Sequence, residues 1–152
     1  CQLRERFVIL LIGYVVMPEH LHLMLYPHTK SCETPIPVSR LLHNFKQSVG
    51  FHGKQALRQC WRRHRSLGGG PLDDWALSRG QTRSIWTTRA YDFNVTSQPT
   101  LISKLDYMHN NPITRGLVDR AEDWRWSSYR YYALDDPMPI AMDWDGRWPI
   151  LW

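Results

Sequence analysis

The run VILLIGYVVM at residues 8–17, the dipeptide PE at residues 18 and 19, and the run HLHLML at residues 20–25 decide the fold. The first run is continuously apolar and rich in Val, Ile and Leu, which is typical of a strand buried on both faces. The second run alternates with period two, which is typical of a strand with two unlike faces. Because only two residues separate the runs, the sequence predicts a β-hairpin.

Two histidines occupy alternate positions of the second strand. His20 and His22 therefore project from the same face, and two adjacent imidazoles can share one divalent cation. The intervening Leu21, Leu23 and Leu25 are predicted to point the other way, into a core. The alternative is that both histidines lie on the solvated face of an amphipathic strand. Glu19 is interpreted as a turn residue first and as a partner of His20 only second.

A tyrosine and an asparagine lie four residues apart on a predicted helix. Capping hydroxyls and an early proline at residues 96–99 favour a helix from about residue 99 to 110. Its apolar residues form one stripe, and Tyr107 lies off the centre of that stripe. The stripe consists of Leu101, Leu105 and Met108. Asn111 would share the face of Tyr107, although Pro112 biases its backbone away from helical dihedrals. The alternative is a tyrosine that packs with its hydroxyl at the surface.

Basic residues are concentrated between positions 40 and 65, where no Asp or Glu occurs. They are Arg40, Lys46, Lys54, Arg58, Arg62, Arg63 and Arg65. The net charge of +5 also favours an anionic partner. A solvated helix face is the alternative, but such faces usually mix charges of both signs. Ser39 is predicted to cap a first helix here, with Gly50 and Gly53 interrupting it before a second helical stretch.

Length, cysteine spacing and hydrophobicity indicate what kind of protein this is. A length of 152 residues predicts a single domain at 1–152, and residues 85–95 are predicted to form a further strand region. The three cysteines lack the close spacing of zinc or redox sites, which favours a reducing cytoplasm. The longest apolar run is too short to cross a bilayer, so no membrane association is predicted.

The motifs, taken in order, resemble the REP-associated tyrosine transposases, which belong to the HUH (His-hydrophobic-His) single-strand transposases and nucleases. The resemblance is carried by VVMPEHLHL at 15–23, YMHNNPITRGLV at 107–118 and DWRWSSY at 123–129. Shorter segments that lie between these motifs also match the family. They are FK at 45–46, IW at 85–86 and YDF at 91–93. The match therefore extends over nearly the whole chain.

The resemblance implies an α+β fold, a ferredoxin-like antiparallel sheet with helices mainly on one face. It also implies that Tyr107 is the catalytic nucleophile and that His20, His22 and Asn111 bind Mg²⁺ or Mn²⁺. The implied activity is cleavage and rejoining of single-stranded, hairpin-containing DNA through a 5′-phosphotyrosine, by a monomer or homodimer. The basic residues between 40 and 65 would then contact DNA, together with Arg115, while Trp61 or Trp86 could stack on a base.

Members of this family begin with a further strand before the segment seen here, so the N-terminal strand is predicted to be missing. A catalytically weak or inactive DNA-binding remnant is therefore the alternative function. A metal hydrolase of small substrates is disfavoured, because no close His-Asp-Glu cluster is present. His109 is expected to face solvent, and Arg115 has the alternative of interacting with a helix C-terminus. The expected packing residues of the tail are Trp124, Trp126 and Tyr129.

Overall fold

The computed structural model describes residues 9–27, 37–66, 85–87 and 90–144, apart from the side chains of residues 61, 64 and 65. The contacts divide the chain into two compact units, one of Cys1–Pro35 with Phe93–Trp152 and one of Ile36–Asp92. The described elements are β1 (Ile9–Val16), β2 (Leu21–Pro27), α1 (Val38–Ser66), α2 (Gln98–Thr114), a 3₁₀ turn (Ala121–Asp123) and α3 (Tyr129–Leu134). The α+β class with an antiparallel sheet is thus confirmed, while the single domain stays a prediction.

The predicted hairpin is present. Strands β1 and β2 pair antiparallel, with Val15 opposite His22 and Gly13 opposite Met24. Most of β1 is buried, as its unbroken apolar run predicts. Gly13 lets the hairpin approach α2 closely, because a Cβ at this position would lie 2.6 Å from a methyl carbon of Leu105. The hairpin and α2 therefore pack directly against each other in the first unit.

The face of β2 that packs against the core is not the face that the sequence predicts. Met24, on the same strand face as the histidines, is buried, whereas Leu21, Leu23 and Leu25 are only partly buried. Helix α2 packs on the face that carries His22 and Met24, so one strand face supplies both core residues and the polar pair. The period of alternation was predicted correctly, but the buried side was not.

Helix α2 has the N-terminal cap and the buried apolar stripe that the sequence predicts. Ser97 caps it by accepting a hydrogen bond from the Thr100 amide at 3.4 Å, and Pro99 occupies the first turn. The predicted apolar stripe of Leu101, Leu105 and Met108 is buried. The helix runs through Pro112 to Thr114, so it ends later than the predicted residue 110 and includes Asn111. In the last turn the missing proline amide removes only one helical hydrogen bond.

The segment at residues 126–128 covers the outer edge of β1. The Val16 amide donates to the Trp126 carbonyl at 2.8 Å, and the Ser128 amide donates to the Tyr14 carbonyl at 2.9 Å. Trp124 packs against the core and donates its indole hydrogen to the Val16 carbonyl at 3.0 Å. The predicted packing role is confirmed for Trp124 but wrong for Trp126, which is 49% exposed.

In the second unit, α1 is one continuous helix of 29 residues, so the predicted interruption at Gly50 and Gly53 is wrong. Each glycine costs about 1 kcal/mol in a helix, which a long helix can absorb. The small residues also let residues 85 and 86 approach, since Cβ atoms there would meet Ile85 at 3.3 Å and Trp86 at 3.6 Å.

Residues 85–87 and 90–95 contain no strand, contrary to the prediction for 85–95. Trp86 instead packs against Phe45 of α1, with ring centroids 5.9 Å apart, and Lys46 donates to the Thr87 carbonyl at 2.8 Å. Aromatic and β-branched residues here pack on a helix, which their composition alone could not distinguish from strand pairing. None of the helices in the described ranges is long and apolar enough to cross a bilayer.

Candidate active site

His22 of β2 and His20, which immediately precedes the strand, face each other in the first unit. The Nε2 atoms of His20 and His22 are 2.9 Å apart, and the ring centroids are 4.7 Å apart. Two ligand nitrogens bound about 2.1 Å from one cation at a right angle would lie about 3 Å apart. The observed separation of the two nitrogens therefore fits a shared divalent cation.

Glu19 lies in the bend between the two strands, as predicted, and it also contacts His20. The Glu19 Oε1 atom lies 3.3 Å from His20 Nδ1 and 3.2 Å from Nη2 of Arg115. A carboxylate that accepts a hydrogen bond from Nδ1 fixes the tautomer in which Nε2 carries the lone pair. At this distance Glu19 can orient His20 with Nε2 toward His22, and Arg115 pairs with Glu19.

His22 is more enclosed than a surface histidine. Burial, and to a smaller extent the neighbouring His20, lowers the pKa of His22 below the ordinary value for histidine. Both effects disfavour the imidazolium ion. His22 is accordingly neutral at neutral pH, which is the form of imidazole that binds metal ions.

Tyr107 lies beside this pair, although the hairpin and α2 are far apart in the sequence. Its ring centroid is 6.0 Å from that of His22, with the rings nearly perpendicular. Its side chain is 60% exposed, in agreement with its predicted position off the apolar stripe. The phenol is therefore accessible to a macromolecular substrate while its ring lies against that of His22.

Asn111 lies one helical turn after Tyr107 and is buried. Its amide nitrogen donates to the Tyr107 carbonyl at 2.9 Å, which leaves the amide oxygen as its acceptor end. Within the described ranges no three His, Cys, Asp or Glu side chains gather as a metal site. Among those residues, a third protein ligand beside His20 and His22 would be of another type, and the role of Asn111 stays a prediction.

Lys104 is a residue near Tyr107 that the sequence did not single out. Its Nζ atom lies 4.4 Å from the ring centroid of Phe93 and 5.9 Å from that of Tyr107. Lys104 and Tyr107 are three residues apart on α2, a spacing that places them on one helix face. That spacing was the available signal in the sequence, whereas the contact with Phe93 arises only in the folded chain.

The predicted basic surface is found on α1 in the second unit. At 100° per residue, Arg40, Lys54, Arg58 and Arg62 fall within a sector of about 80°, while Arg63 lies on another side. All but Lys54 are exposed. Lys46 donates to the Thr87 carbonyl, and the side chain of Arg65 lies outside the described residues. We call the four clustered side chains the basic face of α1.

Arg115 and two tryptophans were also predicted to contact DNA. Arg115 forms an ion pair with Glu19, and its contact with a DNA phosphate stays a prediction. Trp86 is partly buried against Phe45, so it is not the freely exposed stacking ring that the sequence suggested. The side chain of Trp61 lies outside the described residues.

His109 is buried, which makes the expectation of a solvent-facing residue wrong. It is 5% exposed, and its Nε2 atom lies 2.9 Å from the Ser128 hydroxyl oxygen. Ser128 also accepts a hydrogen bond from the Tyr14 amide at 3.0 Å. Burial lowers the pKa of His109 to about 4, although the nearby Asp106 opposes this effect. Through Ser128, His109 links α2 to β1.

Comparison with known proteins gives one relative and no solved structure. A protein of Haemophilus influenzae named "Putative REP-associated tyrosine transposase" is 21% identical over 136 residues, which is 90% of this chain. The chain spans 66% of the length of that relative. No family model matches the chain. No solved structure matches it either. The relative confirms the resemblance that the ordered motifs indicate.

Proposed function

We propose that this chain is a transposase-type enzyme that cuts and rejoins single-stranded DNA, with Tyr107 as its nucleophile. The observation that carries the proposal is the 6.0 Å contact between the rings of Tyr107 and His22, beside the 2.9 Å pair of His20 and His22 nitrogens. A phenol next to two metal-binding nitrogens is the arrangement that tyrosine-based phosphodiester cleavage needs.

In the proposed reaction, the Tyr107 Oη atom attacks the phosphorus of a DNA phosphodiester. A bond forms between Oη and phosphorus, and the bond from phosphorus to the 3′ oxygen breaks. The phenol proton passes to water, and the departing 3′ oxygen takes up a proton to become a 3′-hydroxyl. The downstream strand is then joined to Tyr107 through its 5′ phosphate, and attack by another 3′-hydroxyl reverses the step. No external energy source is required, because each phosphodiester is exchanged for another ester.

His20, His22 and Asn111 are the residues that would hold Mg²⁺ or Mn²⁺. The separation of the histidine nitrogens supports this proposal, and the amide oxygen of Asn111 is of a type that binds such cations. When bound, a divalent cation supplies positive charge to the nonbridging phosphate oxygens. Glu19 keeps His20 in the tautomer that leaves Nε2 available, and Arg115 keeps Glu19 in place.

DNA carrying a hairpin is the proposed substrate, and the basic face of α1 is proposed to bind its backbone. The exposed arginines of this face offer charge without competing acidic residues on the same helix. Backbone contacts of this kind give affinity and register without reading sequence.

The test uses one hairpin oligonucleotide with a single-stranded flank, labelled at the 5′ end in one sample and at the 3′ end in another. With the protein and Mn²⁺, the 3′ label should become attached to the protein, and the 5′ label should appear in a shortened free strand. Addition of EDTA should prevent both products. Attachment of the 5′ label instead would contradict the proposed polarity of the cut.

A binding remnant without catalysis is the second candidate, and the basic face of α1 favours it because that face does not depend on the histidine pair. Retained hairpin binding without any adduct in Mg²⁺ or Mn²⁺ would support this candidate. Metal-dependent adduct formation would eliminate it.

Glu19→Gln should weaken Mn²⁺ binding about tenfold, because residues that orient a ligating histidine typically contribute 10- to 100-fold to metal affinity. The amide cannot accept as strongly from Nδ1 and loses its ion pair with Arg115. Mn²⁺ titration followed by electron paramagnetic resonance measures this effect without any need for activity. Glu122→Gln is the matched control, since Glu122 pairs with Arg120 instead. Equal Mn²⁺ affinity of wild type and Glu19→Gln would show that Glu19 does not support the site.

A further inference from the structure

Lys104 is held between two aromatic rings on the side of α2 that carries Tyr107. Its ammonium nitrogen is 4.4 Å from the Phe93 ring centroid and 5.9 Å from the Tyr107 ring centroid. At such distances the negative face of a ring attracts a cation and restricts its position. Lys104 is only partly exposed, while both rings are more than half exposed. The three side chains form one surface group.

Among the described residues, no carboxylate neutralises the charge of Lys104. Arg115, Arg120 and Arg130 of the same unit each lie within ion-pair distance of a carboxylate. Lys104 has no such carboxylate among the residues that the structure describes, and aromatic rings leave the net positive charge intact. An unneutralised, restrained ammonium group beside an exposed phenol is suited to contact an anionic group that reaches the phenol.

We propose that Lys104 binds a backbone phosphate of the DNA strand at the point where Tyr107 meets it, and that Phe93 positions Lys104 for this contact. The inference rests on the proposed function, because it takes DNA as the substrate of Tyr107. Lys104 contacts the substrate, whereas Phe93 acts through Lys104. The ring of Phe93 limits the ammonium group to the neighbourhood of Tyr107, so less side-chain freedom is lost on binding.

The experiment measures binding of a fluorescent single-stranded oligonucleotide to the full chain at several salt concentrations, with EDTA present so that no cutting occurs. Loss of one phosphate contact lowers the slope of log affinity against log salt by about 0.7 for single strands. Between 50 and 200 mM salt, wild type should therefore lose about 2.6-fold more affinity than Lys104→Met. Lys104→Arg should keep the wild-type slope. Arg120→Met is the charge-matched control, and an equal change of slope in Arg120→Met and Lys104→Met would overturn the proposal.

The role of Phe93 is tested by a double-mutant cycle in the same assay. Phe93→Leu should weaken binding at 50 mM salt in the wild-type background and have no effect in the Lys104→Met background. Phe93→Tyr keeps the ring and should bind as wild type does. Equal effects of Phe93→Leu in both backgrounds would show that Phe93 does not act through Lys104.

Failure of this inference is distinguishable from failure of the proposed function. An unchanged salt slope in Lys104→Met overturns the phosphate contact, even where wild type forms the covalent adduct. Conversely, a chain that forms no adduct still reports its phosphate contacts, because binding is measured without metal. Thermal melting of each variant excludes unfolding as the cause of weaker binding.

Discussion

Replacement of Tyr107 by phenylalanine should abolish the covalent protein–DNA adduct, with a loss in its rate of formation on the order of 1000-fold or more. The change removes one atom, the hydroxyl oxygen that the proposed reaction needs as nucleophile. The phenyl ring remains and can keep its contacts with His22 and Lys104. DNA affinity in EDTA and Mn²⁺ affinity should both stay within about twofold of wild type, since an exposed side chain loses only its hydroxyl.

Adduct formation is measured on denaturing gels with the 3′-labelled hairpin oligonucleotide, over several times and in Mn²⁺. Tyr91→Phe is the matched control, because Tyr91 is 87% exposed and also loses only a hydroxyl. Tyr91→Phe should form the adduct at the wild-type rate. An unchanged adduct yield in Tyr107→Phe, or a phosphate mapped to another tyrosine in the wild-type adduct, would refute the assignment.

The site could be predicted from the sequence where its geometry follows from local periodicity. The two-residue spacing of His20 and His22 on a strand places them on one face, and the rings do meet there. The 3.6-residue period of α2 places Tyr107 off the buried stripe, and the phenol is exposed. Periodicity does not predict that the hairpin packs against α2. The family resemblance suggested that pairing, and the contact between His22 and Tyr107 is consistent with it.

Other features could not be predicted, because they depend on which elements pack together. Alternation along β2 gives two faces but not which of them a helix covers, and so the leucines were assigned to the wrong side. The contact of Glu19 with Arg115 joins residues nearly a hundred positions apart, and no local pattern encodes it. In α1, the cost of two glycines was overestimated relative to the stability of a 29-residue helix that packs against residues 85–87.

His109 is a different case, since its burial could have been derived. It follows Leu105 by four residues, which places it about 40° around the helix from a residue of the buried stripe. The prediction of a solvent-facing residue did not use this position. The structure gives this polar residue a partner in Ser128, so a buried imidazole is tolerated.

Acidification should destabilise the fold through His109 by up to about 3 kcal/mol. The folded-state pKa of His109 is about 4, whereas the ordinary histidine value of 6.5 applies to the unfolded chain. The unfolded state therefore binds a proton at a pH where the folded state does not. The stabilisation from neutral His109 is complete above about pH 6.5 and is lost as the pH falls toward 4. The gap between the two pKa values corresponds to about 3 kcal/mol.

The groups around His109 determine how its contribution to the pH dependence of stability can be isolated. Asp106 on the same helix partly offsets the effect of burial, and the rings of Tyr129 and Tyr132 lie 5.7 and 6.0 Å away. Phenols do not gain or lose protons in this acidic range. Carboxylates elsewhere do titrate there, so the pH dependence of wild type alone would mix several contributions. A variant that changes only His109 is needed.

His109→Gln is that variant, because its amide can replace the Nε2 contact with Ser128 and cannot become charged near pH 6. The free energy of unfolding of both proteins is measured by urea denaturation from pH 7.5 to 4. The difference between wild type and His109→Gln should move by about 2 to 3 kcal/mol in favour of the variant as the pH falls. A constant difference over this range would mean that the folded chain protonates His109 as readily as the unfolded chain, and that the link from α2 through Ser128 to β1 tolerates the charge.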